Sequence, residues 1–108
     1  MINLSVVILT KNEEKDIGDC LESVAGWANE IVIMDDESTD KTIDIASQYT
    51  DKIIVRKMEI EGRHRNFAYS KAKNLWILSL DADERVTPEL RKEIEEALKA
   101  NPRENGFT

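Results

Sequence analysis

Two aspartates one residue apart follow the most apolar run of the chain. The run extends over residues 75–80, and Asp81 and Asp83 come directly after it, separated by one alanine. Alternate residues of a strand point to the same side, so both carboxylates face one spot if the strand continues through this triplet. Two anions held that close repel each other, and a hard divalent cation with oxygen ligands usually relieves the repulsion. The spacing therefore predicts a metal site at the C-terminal end of a strand, where open α/β sheets bind their ligands.

Two more polar clusters follow apolar runs, at residues 10–13 and 35–40. The first cluster has an alternative interpretation, in which Asn12 caps a helix. The acidic residues after the fourth run also have one, in which Asp83 and Glu84 only solvate a loop. Capping does not account for four acids in six residues at 35–40. A carboxylate there is an acceptor-only group, suited to the imide of a uracil or to ribose hydroxyls. These clusters are therefore candidate parts of one binding site.

A basic segment at residues 62–66 contains the side chain most suited to bind an anionic group, that of Arg65. The guanidinium of Arg65 can bind a phosphate or hold a carboxylate in bidentate fashion. His64 is interpreted as a surface residue, and Lys71 and Lys73 as a solvated helix face. The sequence has no Cys/His cluster typical of zinc, no glycine-rich phosphate loop and no nucleophilic triad.

Strand and helix patterns alternate along the chain. The predicted strands are Leu4–Leu9, Ile31–Met34, Ile53–Val55 and Leu75–Leu80. Runs that are apolar on both faces favour a parallel sheet covered on two sides. Helices are predicted over Glu14–Ala25, around Ile43–Ala46, over Arg65–Lys73, and from Thr87-Pro88 through Leu98.

Composition indicates one domain without a nucleic-acid partner. The chain has 108 residues, 34% of them charged, and a formal net charge of -7. That charge argues against nucleic acid or an anionic membrane as the main partner. The apolar runs fall far short of the roughly 20 residues that a membrane helix needs, so a cytoplasmic protein that is not integral to a membrane is expected. Cys20 is the only cysteine, which excludes an internal disulfide.

In type and order these motifs resemble those of the family 2 nucleotide-sugar glycosyltransferases, which have the GT-A fold. The motifs are Val6–Glu13, Ile31–Thr42, Arg65–Ala68 and Leu78–Glu84. The match looks closest to bacterial members that build lipopolysaccharide core or other cell-surface glycans. It implies a three-layer α/β/α, Rossmann-like half of a GT-A fold, with a mostly parallel four-stranded sheet in the order 3-2-1-4.

The resemblance also implies how the nucleotide is held. Thr10, Asn12 and Glu13 would hold the base and ribose of a nucleotide diphosphate sugar, expected to be a UDP-sugar. Asp36 would read the uracil edge, with Asp35 supporting the turn.

The resemblance further implies which residues lie near the diphosphate and the metal ion. Arg65 would reach the nucleotide or its diphosphate. Asp81 would contact the ribose and, with Asp83, bind Mg²⁺ or Mn²⁺, with Asp83 the more direct ligand. The ion would serve inverting glycosyl transfer in cell-surface glycan synthesis.

The chain departs from the family in one respect. The catalytic base lies, in these enzymes, in the half that follows the donor domain, and residues 106–108 resemble the start of its next strand. Residues 1–108 are therefore expected to be the donor-binding half with the acceptor half absent, able to bind donor and metal without completing transfer. The fourth strand would lie at an edge, and self-association through it and Trp76 is expected.

Two other classes of protein share part of this pattern. A phosphoacceptor receiver domain is also a short acidic α/β unit, but its acidic pair should follow the first strand, where Thr10, Lys11 and Asn12 stand. A non-catalytic module for nucleotide binding or assembly stays open as the alternative to an enzyme.

Overall fold

Strands and helices alternate throughout the part of the chain that the structure describes. The structure, a computed structural model, describes residues 1–59 and 61–100. Its elements are β1 (Ile2–Thr10), α1 (Ile17–Glu22), β2 (Ala28–Asp35), α2 (Thr42–Ala46), β3 (Ile53–Val55), α3 (Glu61–Ser70), β4 (Ile77–Asp81) and α4 (Pro88–Ala100). The strand expected at residues 106–108 lies outside the described residues.

The four strands form one parallel sheet in the order β3-β2-β1-β4. This confirms the predicted strand order. The register places Thr10 of β1 opposite Asp35 of β2, and Leu9 of β1 opposite Asp81 of β4. The polar residues that end these three strands therefore lie at one level of the sheet.

Helices cover both faces of the sheet, which confirms the three-layer architecture. Val6 and Ile8 of β1 belong to a large buried cluster that also includes residues of α1, α2 and α4. Val7 of β1 lies in a smaller cluster with residues of β2 and with Ala68 of α3. The alternation explains why β1 is apolar along both faces.

Helix α1 is shorter than the predicted span of residues 14–25. Before it, the amide of Glu13 donates to the Thr42 hydroxyl and the amide of Glu14 to Asp40. Asn12 has a left-handed backbone with φ of 52°. These contacts to the segment before α2 hold residues 13 and 14 in a turn, so the prediction that the helix begins there was wrong.

The edge strand β4 begins at Ile77, two residues later than predicted, and the two side chains before it differ in exposure. Trp76 is only 8% exposed and belongs to the larger core cluster, whereas Leu75 is 67% exposed. Little of the Trp76 ring is therefore exposed for the expected self-association, because it packs in the core. Association through the edge of β4 stays a prediction.

No helix among residues 1–59 and 61–100 is long and apolar enough to cross a bilayer.

A buried carboxylate organises the N-terminal end of the sheet. Glu30 accepts hydrogen bonds from the Ser5 hydroxyl at 2.6 Å and the Lys73 amide at 2.8 Å. Its other oxygen lies 2.6 Å from Lys52 Nζ. Burial alone would raise the pKa of Glu30, but the hydrogen bonds from Lys52, Ser5 and Lys73 lower that pKa below its ordinary value. This carboxylate is therefore fully partnered.

We predict that Glu30→Ala lowers the free energy of unfolding by about 2–4 kcal/mol, because buried donors lose their acceptor. Since the pKa of Glu30 is lower in the folded protein than in the unfolded chain, its stabilisation is present above the ordinary carboxyl range. The stabilisation is lost as pH falls through and below that range. Urea unfolding across this pH range checks both points, with exposed Glu93→Gln as control. Equal stability of the two variants at neutral pH would contradict the prediction.

Candidate functional site

The C-terminal ends of β1, β2 and β4 surround a cleft of about 300 Å³, which we call the strand-end cleft. Helix α3 contributes a wall. The polar residues that line it are Thr10, Lys11, Glu13, Asp36, His64, Arg65, Asp81 and Asp83. Six of the eight predicted site residues thus meet in one place, and Asn12 and Asp35 are not among its lining residues.

Asp35 is fully buried and ties the ends of β1 and β2 together. One carboxylate oxygen accepts hydrogen bonds from the hydroxyls of Thr10 and Ser38, and the other accepts from the Ser38 amide at 2.7 Å. These protein donors fit the expected role of Asp35 in supporting the turn. Its expected place among the nucleotide-binding residues stays a prediction.

Asn12 braces the loop that follows β2. Its side-chain oxygen accepts a hydrogen bond from the Thr39 amide at 2.8 Å, and its own amide donates to the Ser38 hydroxyl at 2.8 Å. The side chain caps no helix, because α1 begins at Ile17. Asn12 therefore helps to fix the loop after β2, and its predicted contact with the nucleotide stays a prediction.

Asp36 points into the strand-end cleft from β2. One of its oxygens accepts a hydrogen bond from the Met58 amide at 2.8 Å, and the other lies 3.7 Å from Lys11 Nζ. Its side chain is 13% exposed. The Asp36 amide donates to the Thr10 carbonyl at 2.9 Å, which fixes the backbone at this point. The carboxylate is held in place yet has lone pairs left for a ligand.

Asp81 and Asp83 both line the cleft, although the strand does not continue through the triplet. Strand β4 ends at Asp81, and a turn follows in which the Glu84 amide donates to the Asp81 carbonyl. Ala82 is 3% exposed and belongs to the core, while both flanking aspartates are exposed. The shared direction of the two carboxylates thus comes from a turn anchored by a buried alanine.

Carboxylates crowd one side of the cleft. Burial raises the pKa of Glu13 above its ordinary value, and the negative charges of Asp83, Asp16, Asp40 and Asp81 raise it further. A bound cation would favour the ionised form. The described residues contain no preassembled group of three or more acidic, histidine or cysteine side chains that could hold a metal. Mg²⁺ is often held by one or two carboxylates together with substrate phosphates, so two exposed aspartates beside Glu13 fit such an ion.

Arg65 joins α3 to the end of β4. Its guanidinium donates to the Ser79 hydroxyl at 2.7 Å and lies 3.9 Å from an Asp81 oxygen. The Arg65 side chain remains 29% exposed. With Lys11 on the other side, the cleft therefore presents cationic groups beside its acids, as an anionic ligand requires.

Two polar lining residues, Lys11 and His64, were not among the predicted site residues. His64 is the more unexpected of the two. It is 3% exposed, which contradicts its interpretation as a surface residue. Its position four residues before Ala68, which is also buried, places both on one face of α3 and was the available signal.

A larger cleft of about 510 Å³ lies at the opposite end of the molecule, lined by residues such as Met1, Ile2, Trp76 and Leu98. It lies by the start of β1 and is mostly apolar. The strand-end cleft is the stronger candidate, because parallel α/β sheets bind ligands at the carboxyl ends of their strands and this cleft gathers polar groups from three such ends.

A sequence model described as glycosyl transferase family 2 matches residues 5–105. The chain belongs to glycosyl transferase family 2. An uncharacterized glycosyltransferase of Rickettsia typhi is 40% identical over 95 residues, which cover 88% of this chain and 32% of that protein. The lipopolysaccharide core biosynthesis glycosyltransferase LpsC of Rhizobium meliloti is 34% identical, over 91% of this chain and 38% of LpsC.

The fold agrees with that of a solved family member. A crystal structure of Staphylococcus aureus TarS in complex with UDP superposes with a TM-score of 0.74 at 27% identity, covering 94% of this chain and 33% of that one. This identifies the fold as part of a GT-A glycosyltransferase. The family 2 chain described here spans about a third of the length of these relatives.

Substitution of the two adjacent aspartates at the end of β2, Asp35 and Asp36, should affect the stability of the fold to different extents. We expect Asp35→Ala to lower the free energy of unfolding by about 2–4 kcal/mol, because one buried and two partly buried hydrogen bonds lose their acceptor. Asp36→Ala should cost less than about 1 kcal/mol, because the Met58 amide that it frees is near solvent. Chemical denaturation of both variants measures the difference, and a larger loss for Asp36 would contradict the assignment.

Proposed function

We propose that residues 1–108 are the donor-binding half of a glycosyltransferase that holds a nucleotide diphosphate sugar, with UDP as the nucleotide, together with a divalent cation. The observation that carries the proposal is the convergence of polar residues from β1, β2, β4 and α3 in the strand-end cleft. The fold shared with a UDP-bound TarS supports the choice of nucleotide.

Asp36 is assigned to the base. A uracil presents one imide N–H between two carbonyl oxygens, and a carboxylate accepts from the former. The Met58 amide and Lys11 hold Asp36 in one orientation, so little side-chain freedom is lost when the base binds. Thr10 and Glu13, which line the same cleft, are the candidate neighbours of the base and ribose.

Asp81 and Asp83 are assigned to the cation, with Asp83 as the more direct ligand. The charges of both raise the pKa of Glu13, so the acids interact before any cation binds. When bound, Mg²⁺ or Mn²⁺ would neutralise the developing charge of the diphosphate leaving group. Arg65 and Lys11 supply fixed positive charge for the same diphosphate.

The wider reaction is proposed from the family. We assign the chain to inverting transfer in cell-surface glycan synthesis, in keeping with the similarity to LpsC. The acceptor and the catalytic base would be supplied by a further part of the protein, so these residues alone would bind the donor without transferring its sugar. The cytoplasm is the proposed compartment, in keeping with the expectation from the sequence.

A non-catalytic module for nucleotide binding or assembly is the competing function. Calorimetry with UDP in the presence and absence of Mn²⁺ tests the proposal. We expect binding that strengthens with the cation. An intact fold that releases no heat with UDP would favour a purely structural unit.

Asp83→Asn should abolish the cation-dependent part of UDP binding, because it removes a ligand charge while keeping the side-chain volume. Asp44→Asn is the matched control, since Asp44 is exposed on α2 and outside the cleft. Calorimetric titrations with and without Mn²⁺ measure the difference. An unchanged response to Mn²⁺ in Asp83→Asn would remove this residue from the metal site.

Asp36→Ala should weaken binding of uridine with or without cation by about 1–3 kcal/mol, the effect of a lost buried hydrogen-bond partner. Discrimination between UDP and CDP should fall in the same variant, because cytosine lacks the imide N–H. Competition titrations give both quantities. Equal affinity of the unsubstituted protein for UDP and CDP would contradict the role of Asp36.

A further inference from the structure

His64 is a buried polar side chain of helix α3. It is 3% exposed, and neither of its ring nitrogens makes a hydrogen bond within the described structure. An imidazole always carries at least one N–H donor, and a buried donor left unpaired costs free energy. Native structures rarely keep such groups unless function requires them. His64 therefore lacks a partner within residues 1–59 and 61–100 of the free chain.

The ring lies in the wall of the strand-end cleft. It lines this cleft together with Asp36 and Met58, and it also lines the adjoining cleft formed by Arg56, Lys57 and other residues that follow β3. This places His64 on the side of the strand-end cleft that adjoins the segment after β3, and Asp36 lines the same cleft. Asp81 and Asp83 approach the cleft from β4, on the other side of β1.

Neither core filling nor metal binding accounts for the unpaired ring. A histidine that merely fills the core would bond to a nearby carbonyl or hydroxyl, and this one does not. It also belongs to no group of three potential metal ligands among the described residues. A group that arrives with the ligand can supply the partner that the described residues do not.

We propose that His64 donates a hydrogen bond to a carbonyl oxygen of the bound pyrimidine-dione base, next to the imide that Asp36 reads. This inference rests on the proposed function and names a specificity-determining residue for it. An acceptor at Asp36 and a donor at His64 match the adjacent N–H and C=O of uracil. Cytosine offers a ring nitrogen acceptor and an amino donor along the same edge and mismatches both.

Contact requires a side-chain rearrangement at the cleft wall, because the ring nitrogens are covered in the free chain. Met58 can make room for it: this residue is 40% exposed and lies on a segment without regular secondary structure. Binding then gives the ring the partner that it lacks. The same side chain thus weakens the free protein and strengthens the complex.

The first test measures opposite effects of one substitution. His64→Leu should leave the unfolding midpoint of the free 108-residue chain unchanged or raised, yet weaken UDP binding about five- to tenfold. His64→Gln, which keeps a donor, should recover part of the affinity. Phe67→Leu on the same helix, outside the cleft, is the control and should bind UDP normally. Unchanged UDP affinity in His64→Leu would overturn the inference.

The second test uses the fact that the chain contains a single histidine. Its imidazole nitrogen resonances can be followed by NMR without assignment while uridine, UDP or pyrophosphate is added. We expect uridine and UDP to shift these resonances and pyrophosphate to leave them in place. A shift with pyrophosphate alone would overturn the contact with the base.

The two proposals fail in different ways. If UDP binds by calorimetry while the ring resonances stay in place, the role of His64 is wrong and the proposed function stands. If UDP does not bind the folded chain at all, the proposed function and this inference are both wrong.

Discussion

The site depends on one buried carboxylate, that of Asp35. It accepts hydrogen bonds from Thr10 at the end of β1 and from Ser38 in the next loop, while its backbone carbonyl accepts from the Arg56 amide after β3. A carboxylate with no exposed surface is tolerable only when donors surround it, so these three segments must keep their relative positions. Asp36, the next residue, therefore reaches the cleft on a backbone that cannot shift without exposing or unpairing its neighbour.

Charge balance in the cleft couples its two kinds of ligand. Glu13, Asp36, Asp81 and Asp83 outnumber the cations Lys11 and Arg65. A diphosphate that enters alone meets a surplus of negative charge, and a divalent cation that enters alone meets ligands without a full coordination shell. Each ligand improves the site for the other, which gives a physical reason for cooperative binding of cation and nucleotide in the proposed function.

The sequence was sufficient to predict the sheet, because runs such as residues 31–34 are apolar on both faces of the strand and therefore favour a parallel sheet covered by helices on two sides. The strand order was predicted from the family resemblance. The sequence was insufficient where tertiary hydrogen bonds decide. Nothing local shows that Asp35 turns inward and Asp36 toward the cleft, since that depends on pairing with Thr10 across β1. The amides of residues 13 and 14 likewise bond to a segment some 26 to 29 residues away, which shortened α1. His64 was missed because charged neighbours on α3 mask its buried face.

The two ends of the sheet differ in the polar groups that they leave in an unfavourable state, although Asp35 is fully partnered at the C-terminal end. At the N-terminal end, Glu30 has a partner for each oxygen and its pKa is lowered. At the C-terminal end, the pKa of Glu13 is raised and His64 has no hydrogen-bond partner among the described residues. Unfavourable groups of this kind persist in folded proteins mainly where a ligand later relieves them. The contrast within a single sheet, whose residues share one core, therefore indicates the binding end independently of any similarity to other proteins.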